Sequence, residues 1–102
     1  MSAALREYGH IIDGGEVNVG EVKERRNPAD NRQVVALWND GTPEALEAAI
    51  RSASQAGPAF AETAACARAE ILLRTARILE EQRDQFAGAM TDEIGKLITL
   101  FF

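Results

Sequence analysis

The sequence has little with which to build a catalytic or metal site. It contains one cysteine, Cys66, and one histidine, His10. A single cysteine excludes an internal disulfide framework and points to a reducing compartment. One ligand of each type also falls short of the three or four that zinc requires. Basic residues are outnumbered, 11 Lys and Arg against 16 Asp and Glu, for a net charge of −5. With no basic stripe, neither nucleic acid nor an anionic membrane surface is an expected partner. No apolar run approaches the roughly 20 residues that cross a bilayer, and "MSAALREYGH" has no basic-then-apolar signal pattern. A soluble cytoplasmic protein is the expectation.

What is present is an ordinary globular balance, 46% hydrophobic and 26% charged, which excludes disorder by composition. At 102 residues the chain makes at most one small domain. Ordering such a chain costs on the order of 100–200 kcal/mol of conformational entropy, and a small core offsets that only narrowly.

The first third reads as β. "YGHIIDGGEVNV" sets short β-favouring runs on either side of Asp13-Gly14-Gly15, residues that accept the positive φ of a tight hairpin turn. "GEVKERR" alternates weakly up to Asn27-Pro28-Ala29-Asp30, a turn cluster. "QVVALW" follows as a strand, closed by Asn39-Asp40-Gly41.

The remainder reads as helix. Thr42 suits an N-cap and Pro43 the first helical position, where its missing N–H goes unneeded. Leu46, Ala49, Ile50 and Ala53 recur at helical spacing, and Gly57-Pro58 is expected to end the element, leaving Phe60 to anchor an interhelix loop. A second helix is predicted over Ala64–Gln82, with a stripe of Ala65, Ala69, Leu72, Leu73, Ala76 and Leu79. A third, "DQFAGAMTDEI", carries Phe86, Met90 and Ile94, with Gly95 as its C-cap and Lys96 suited to the negative helix end.

Candidate chemistry fails on inspection. Cys66 and His10 fall in different elements with no third orienting group, so Cys66 reads as a small apolar residue near a helix start. "GAMTDEIGKL" suggests a phosphate loop, but six residues separate Gly88 from Gly95 and Leu97 follows Lys96 where Ser or Thr is needed. Gly14, Gly15 and Gly20 lack dinucleotide-loop spacing. Glu16, Glu80-Glu81 and Asp92-Glu93 fall on solvated faces. No catalytic, cofactor-binding or metal residue is expected.

Read in order, the pieces resemble the amino-terminal segment of the aldehyde dehydrogenase superfamily. The resemblance is carried by "HIIDGGEV", "NPADNRQVVAL", "TPEALEAAIRSASQA", "GPAFAET", "ARAEILLRTARILEEQRDQF" and Glu93-Ile94-Gly95-Lys96. It covers about residues 8–96 and treats 1–102 as one truncated domain, with 97–102 a divergent end. It implies an α/β fold, α+β within this segment: a hairpin and a further strand followed by about three helices, an incomplete piece of the coenzyme-binding domain. The charged stretch "VKERRNPADNRQVV" most resembles the branch that oxidises glutamate semialdehyde, the open form of 1-pyrroline-5-carboxylate, in proline catabolism.

The family activity implied is oxidation of an aldehyde to an acid with NAD or NADP. The nucleophilic cysteine, the glutamate and the coenzyme contacts lie downstream of the matched motifs, so no cofactor and no activity are expected of this segment. Some members hold a structural sodium or potassium ion through backbone oxygens before the Asn-Pro turn and the acidic residue ahead of Gly-Lys; by position those are Arg25, Arg26 and Glu93, but the other ligands have no counterpart here.

The chain ends "LITLFF" where a Pro commonly follows Gly-Lys in the family. Burying Leu97, Ile98, Leu100, Phe101 and Phe102 would be worth roughly 1.5–3 kcal/mol each. The ending is therefore expected to be the cut edge of something longer, a gene fragment or frameshifted product. The rival expectation is a free-standing helical interaction module that self-associates or binds a partner through its apolar faces.

Overall fold

The computed structural model describes residues 5–95 and Leu97. Lys96 and residues 98–102, which carry most of the terminal apolar run, lie outside the described residues. Five strands precede three helices: β1 (Glu7–Tyr8), β2 (His10–Ile12), β3 (Gly15–Val17), β4 (Val22–Asn27), β5 (Asp30–Asn39), α1 (Pro43–Glu62), α2 (Ala65–Glu81) and α3 (Arg83–Ile94). The α/β reading holds.

The hairpin forms where the sequence places it. β2 and β3 pair antiparallel, His10 opposite Val17 and Ile12 opposite Gly15. The two turn residues, Asp13 and Gly14, both take positive φ, 51° and 75°, which matches the twist of the flanking strands. The second sheet has the order β1-β5-β4. Its β4–β5 arm is a long antiparallel ribbon, irregular between Arg25 and Asn27.

Asn27 closes that ribbon. Its Oδ1 accepts from the Ala29 N–H at 2.9 Å and its Nδ2 donates to Gln33 Oε1 at 2.9 Å. The side chain thus does in the Asn-Pro-Ala turn what the backbone does in a ladder. β1 was not anticipated as a separate strand. It adds to β5 in parallel, Glu7 beside Leu37 and Tyr8 beside Trp38.

α1 begins as read: Thr42 Oγ1 accepts from the Ala45 N–H at 3.2 Å, with Pro43 in the first turn. It does not end at Gly57-Pro58. The helix runs on to Glu62 with Pro58 inside it, so Phe60 lies in the last turn, 54% exposed, rather than in a loop. Proline removes one hydrogen bond and crowds one carbonyl, and the strong helix formers Ala59 and Ala61 carry the last turn past that defect. Thr63 Oγ1 then donates to the Ala59 carbonyl at 3.1 Å.

α2 and α3 match the predicted spans to within about one residue at each end. α3 stops at Gly95, whose φ of 71° lets its N–H reach the Thr91 carbonyl.

Very little is enclosed. Ala87 is the one buried apolar residue among the described residues, joined by polar Asn27 and Asn39. α3 packs on β4, α2 touches α3, and α1 meets β2. The radius of gyration is 17.2 Å, against about 13 Å for a compact domain of 100 residues. The helices are laid out rather than folded around a shared core.

Candidate functional site

Among the clefts that the described residues form, two border the packed regions most broadly. The first, about 590 Å³, lies between the three-stranded sheet and α3, walled by Tyr8, Val35, Trp38 and Ala89 with Glu24, Arg25, Asp92 and Glu93 at its polar margin. Here β4 and α3 are joined by Arg25, whose Nη2 donates to the Glu93 carbonyl at 3.1 Å while its Nε sits 3.8 Å from the Glu93 carboxylate. A guanidinium at the last turn also suits the negative end of the helix dipole.

Arg26, next in sequence, takes another role. It donates to the Asn31 carbonyl at 2.9 Å and pairs with the Glu24 carboxylate. The Arg25 guanidinium thus faces the Glu93 carboxylate, and the Arg26 guanidinium turns away from it to Asn31 and Glu24. Among the described residues no group of three His, Cys, Asp or Glu could hold a metal.

The second cleft, about 660 Å³, lies between the hairpin and the start of α1, lined by His10, Ile12, Gly41, Thr42 and Leu46 among others. Gly41 has φ +81° and an added Cβ would come 3.2 Å from His10 Nε2, so the strand-to-helix turn is pressed against the imidazole. A strand leading into a helix N-terminus is where a coenzyme phosphate could bind. The residues here do not fit one. Thr42 already occupies the free N–H of Ala45, and Pro43 has no N–H to offer.

The remaining electrostatics are peripheral. Lys23 Nζ is 2.5 Å from Asp40 Oδ2, and that hydrogen bond holds the ammonium above its ordinary pKa of 10.5. Asp30 receives both the Arg32 guanidinium and the Arg32 N–H, which keep its carboxyl below 3.8. Both pairs are solvent-exposed and belong to strand ends. Cys66 is exposed near the start of α2, in a different element from His10. Glu16 accepts from the Gly9 N–H at 2.8 Å, a structural contact.

Large apolar side chains are exposed on all three helices. Leu46 and Ile50 on α1, Ile71, Leu72, Leu73, Ile78 and Leu79 on α2, and Phe86, Met90 and Ile94 on α3 are all more than 40% exposed. The sequence had placed these residues, Ile71 and Ile78 apart, on helix faces; what it did not reveal is that the rest of the described chain leaves them uncovered.

Known proteins resemble this chain over most of its length. The profile of the aldehyde dehydrogenase family matches residues 17–101. The alpha-ketoglutaric semialdehyde dehydrogenase of Bacillus subtilis (strain 168) is 30% identical over 93 residues, 89% of this chain and 19% of that protein. A 1-pyrroline-5-carboxylate dehydrogenase of Geobacillus sp. (strain WCH70) is 32% identical over 91 residues, covering 89% of this chain and 18% of the relative. The bifunctional protein PutA of Escherichia coli (strain K12) is 35% identical over 80 residues, 78% of this chain and 6% of its own length. The chain thus spans less than a fifth of each of these relatives. An ordered match across five-sixths of the sequence, on a mixed α/β layout, means that this chain belongs to the aldehyde dehydrogenase family.

Proposed function

We propose that this chain is the amino-terminal structural part of an aldehyde dehydrogenase fold, inactive by itself, and that the activity it serves is NAD(P)-dependent oxidation of an aldehyde to a carboxylic acid. The carrying observation is the open helical surface. Ala87 is the one buried apolar side chain among the described residues, whereas large aliphatic groups line all three helices in water. Each such side chain, once covered, contributes roughly 1.5–3 kcal/mol, so the fold is completed by further polypeptide. No described residue supplies a nucleophile with its base or a phosphate cradle.

The substrate class is a semialdehyde bearing a carboxylate, with glutamate semialdehyde from proline catabolism the first candidate. Support comes from the names of the relatives: several are 1-pyrroline-5-carboxylate dehydrogenases, and another acts on alpha-ketoglutaric semialdehyde. We place the protein in the cytoplasm. Among the described residues no helix is long and apolar enough to cross a membrane, and one exposed free cysteine suits a reducing compartment.

The test is direct. The purified 102-residue chain is assayed for NADH or NADPH formation with glutamate semialdehyde and with simple aliphatic aldehydes. No turnover above a protein-free control is expected; protein-dependent reduction of either coenzyme would overturn the reading.

A further inference from the structure

The dipeptide Asp-Gly occurs twice, at Asp13-Gly14 and at Asp40-Gly41. Asp-Gly is chemically fragile, because the glycine nitrogen can attack the aspartate Cγ and glycine has no side chain to hinder the approach. The surroundings of the two pairs differ. Asp40-Gly41 is held at three points. Asp40 Oδ2 receives Lys23 Nζ at 2.5 Å, and the Asp40 N–H donates to the Glu21 carbonyl at 2.9 Å. The attacking atom is hemmed in as well: a Cβ added at Gly20 would come 2.6 Å from Gly41 N.

Asp13-Gly14 has none of these restraints. Both residues are exposed at the tip of the hairpin, and a Cβ added at Gly14 meets nothing within 4 Å. The Asp13 carboxylate pairs with no described residue; Arg51 borders the same shallow cleft without bonding to it. The flanking strands are three residues each, and a two-stranded hairpin is marginally stable by itself. Its tip therefore opens at low cost, which frees the Asp13 backbone to swing Gly14 N towards Cγ.

We infer that Asp13 is a site of spontaneous isoaspartate formation, and that Asp40, in the same dipeptide, is protected by its surroundings. Gly14 N bonds to Cγ of the protonated Asp13 carboxyl, the N–H proton and the carboxyl hydroxyl leave as one water, and a succinimide ring closes. A second water opens the ring. Addition at the Cγ carbonyl restores aspartate; addition at the main-chain carbonyl leaves the backbone running through Cγ, one methylene longer. Nothing is oxidised or reduced, and water is the only co-reactant. The product presents a free α-carboxylate at the turn, the group that an isoaspartate-specific carboxyl methyltransferase recognises.

The test ages the 102-residue chain in neutral buffer at physiological temperature. Both sites are followed by peptide mapping with electron-transfer fragmentation, alongside methyl transfer by such an enzyme. Isoaspartate should accumulate at Asp13 at least about tenfold faster than at Asp40, a difference of about 1.4 kcal/mol in barrier. In concentrated urea, which removes the neighbours, the two rates should converge. Lys23→Ala should speed conversion at Asp40 and leave Asp13 unchanged. Asp13→Asn, which suits the same turn, should convert faster than Asp13, since a neutral amide is attacked more readily than a carboxylate.

Equal rates at the two sites in buffer overturn the inference. So does a ratio that persists in urea, because local sequence rather than the fold would then set the difference. Failure of the Asp13→Asn chain to convert in buffer would show that the turn stays closed, and would equally refute it.

Discussion

Gly95 lies against Pro28: a Cβ added at Gly95 would come 3.3 Å from Pro28 Cγ and 3.3 Å from the Ala29 Cβ. The end of α3 is thereby seated on the β4–β5 turn, 67 positions earlier in the chain. Two constraints coincide at this glycine, the positive φ of 71° and the close turn. Gly95→Ala should weaken the contact by about 1–2 kcal/mol from the left-handed backbone alone. Hydrogen exchange of the Gly95 N–H and the last turn of α3 measures it, with protection expected to fall about fivefold or more.

Arg25 ties the same two elements together from β4. Its ion pair with Glu93 is exposed and should be worth about 0–1 kcal/mol, so Glu93→Gln ought to change α3 protection little. Arg25→Ala also removes the donor to the Glu93 carbonyl and should have the larger effect. Equal effects of the two substitutions would show that the carbonyl contact contributes nothing.

Thr42→Ala should destabilise the start of α1 by about 1 kcal/mol through loss of the cap. Exchange at the Ala45 amide, which donates to Thr42 Oγ1 at 3.2 Å, is the readout. Thr42→Ser keeps the acceptor and should retain most of the protection.

The Asp30–Arg32 pair gives a pH dependence of defined sign. The folded carboxyl titrates below its ordinary 3.8, so its stabilising contribution is present above that value and is lost as pH falls through the depressed one. A carbon-detected NMR titration should show the Asp30 midpoint below 3.8, returning toward it in Arg32→Ala. An unchanged midpoint in that variant would assign the shift to another cause.

Pro58 accounts for the clearest departure of structure from sequence. Gly57-Pro58 reads as a helix end because proline lacks the N–H that would reach back one turn. Yet Pro58 lies inside α1, near the end of 20 residues, where one lost bond interrupts a helix already formed. Pro58→Ala should restore that bond and strengthen the last turn of α1 by up to about 3 kcal/mol, visible as slower exchange between Ala59 and Glu62.

Other elements were legible for reasons that can be named. Asp13-Gly14 tolerates the two positive φ values of its turn, so the hairpin was marked by residue type. α2 and α3 showed their spans through apolar recurrence and through Gly95. β1 was not legible: two residues have no periodicity, and their pairing with Leu37 and Trp38 lies 30 positions away. Ile71 and Ile78 stand out once their exposure is known.

The central claim is that the apolar helix faces are made to rest on further protein, and the most direct measurement is urea denaturation of the isolated 102-residue chain with dye binding and Trp38 near-ultraviolet dichroism followed together. A chain whose faces are uncovered should bind ANS in buffer, show weak Trp38 dichroism, and lose helix over a broad, non-coincident transition. A single sharp transition shared by all probes, with no dye bound at zero urea, would contradict it.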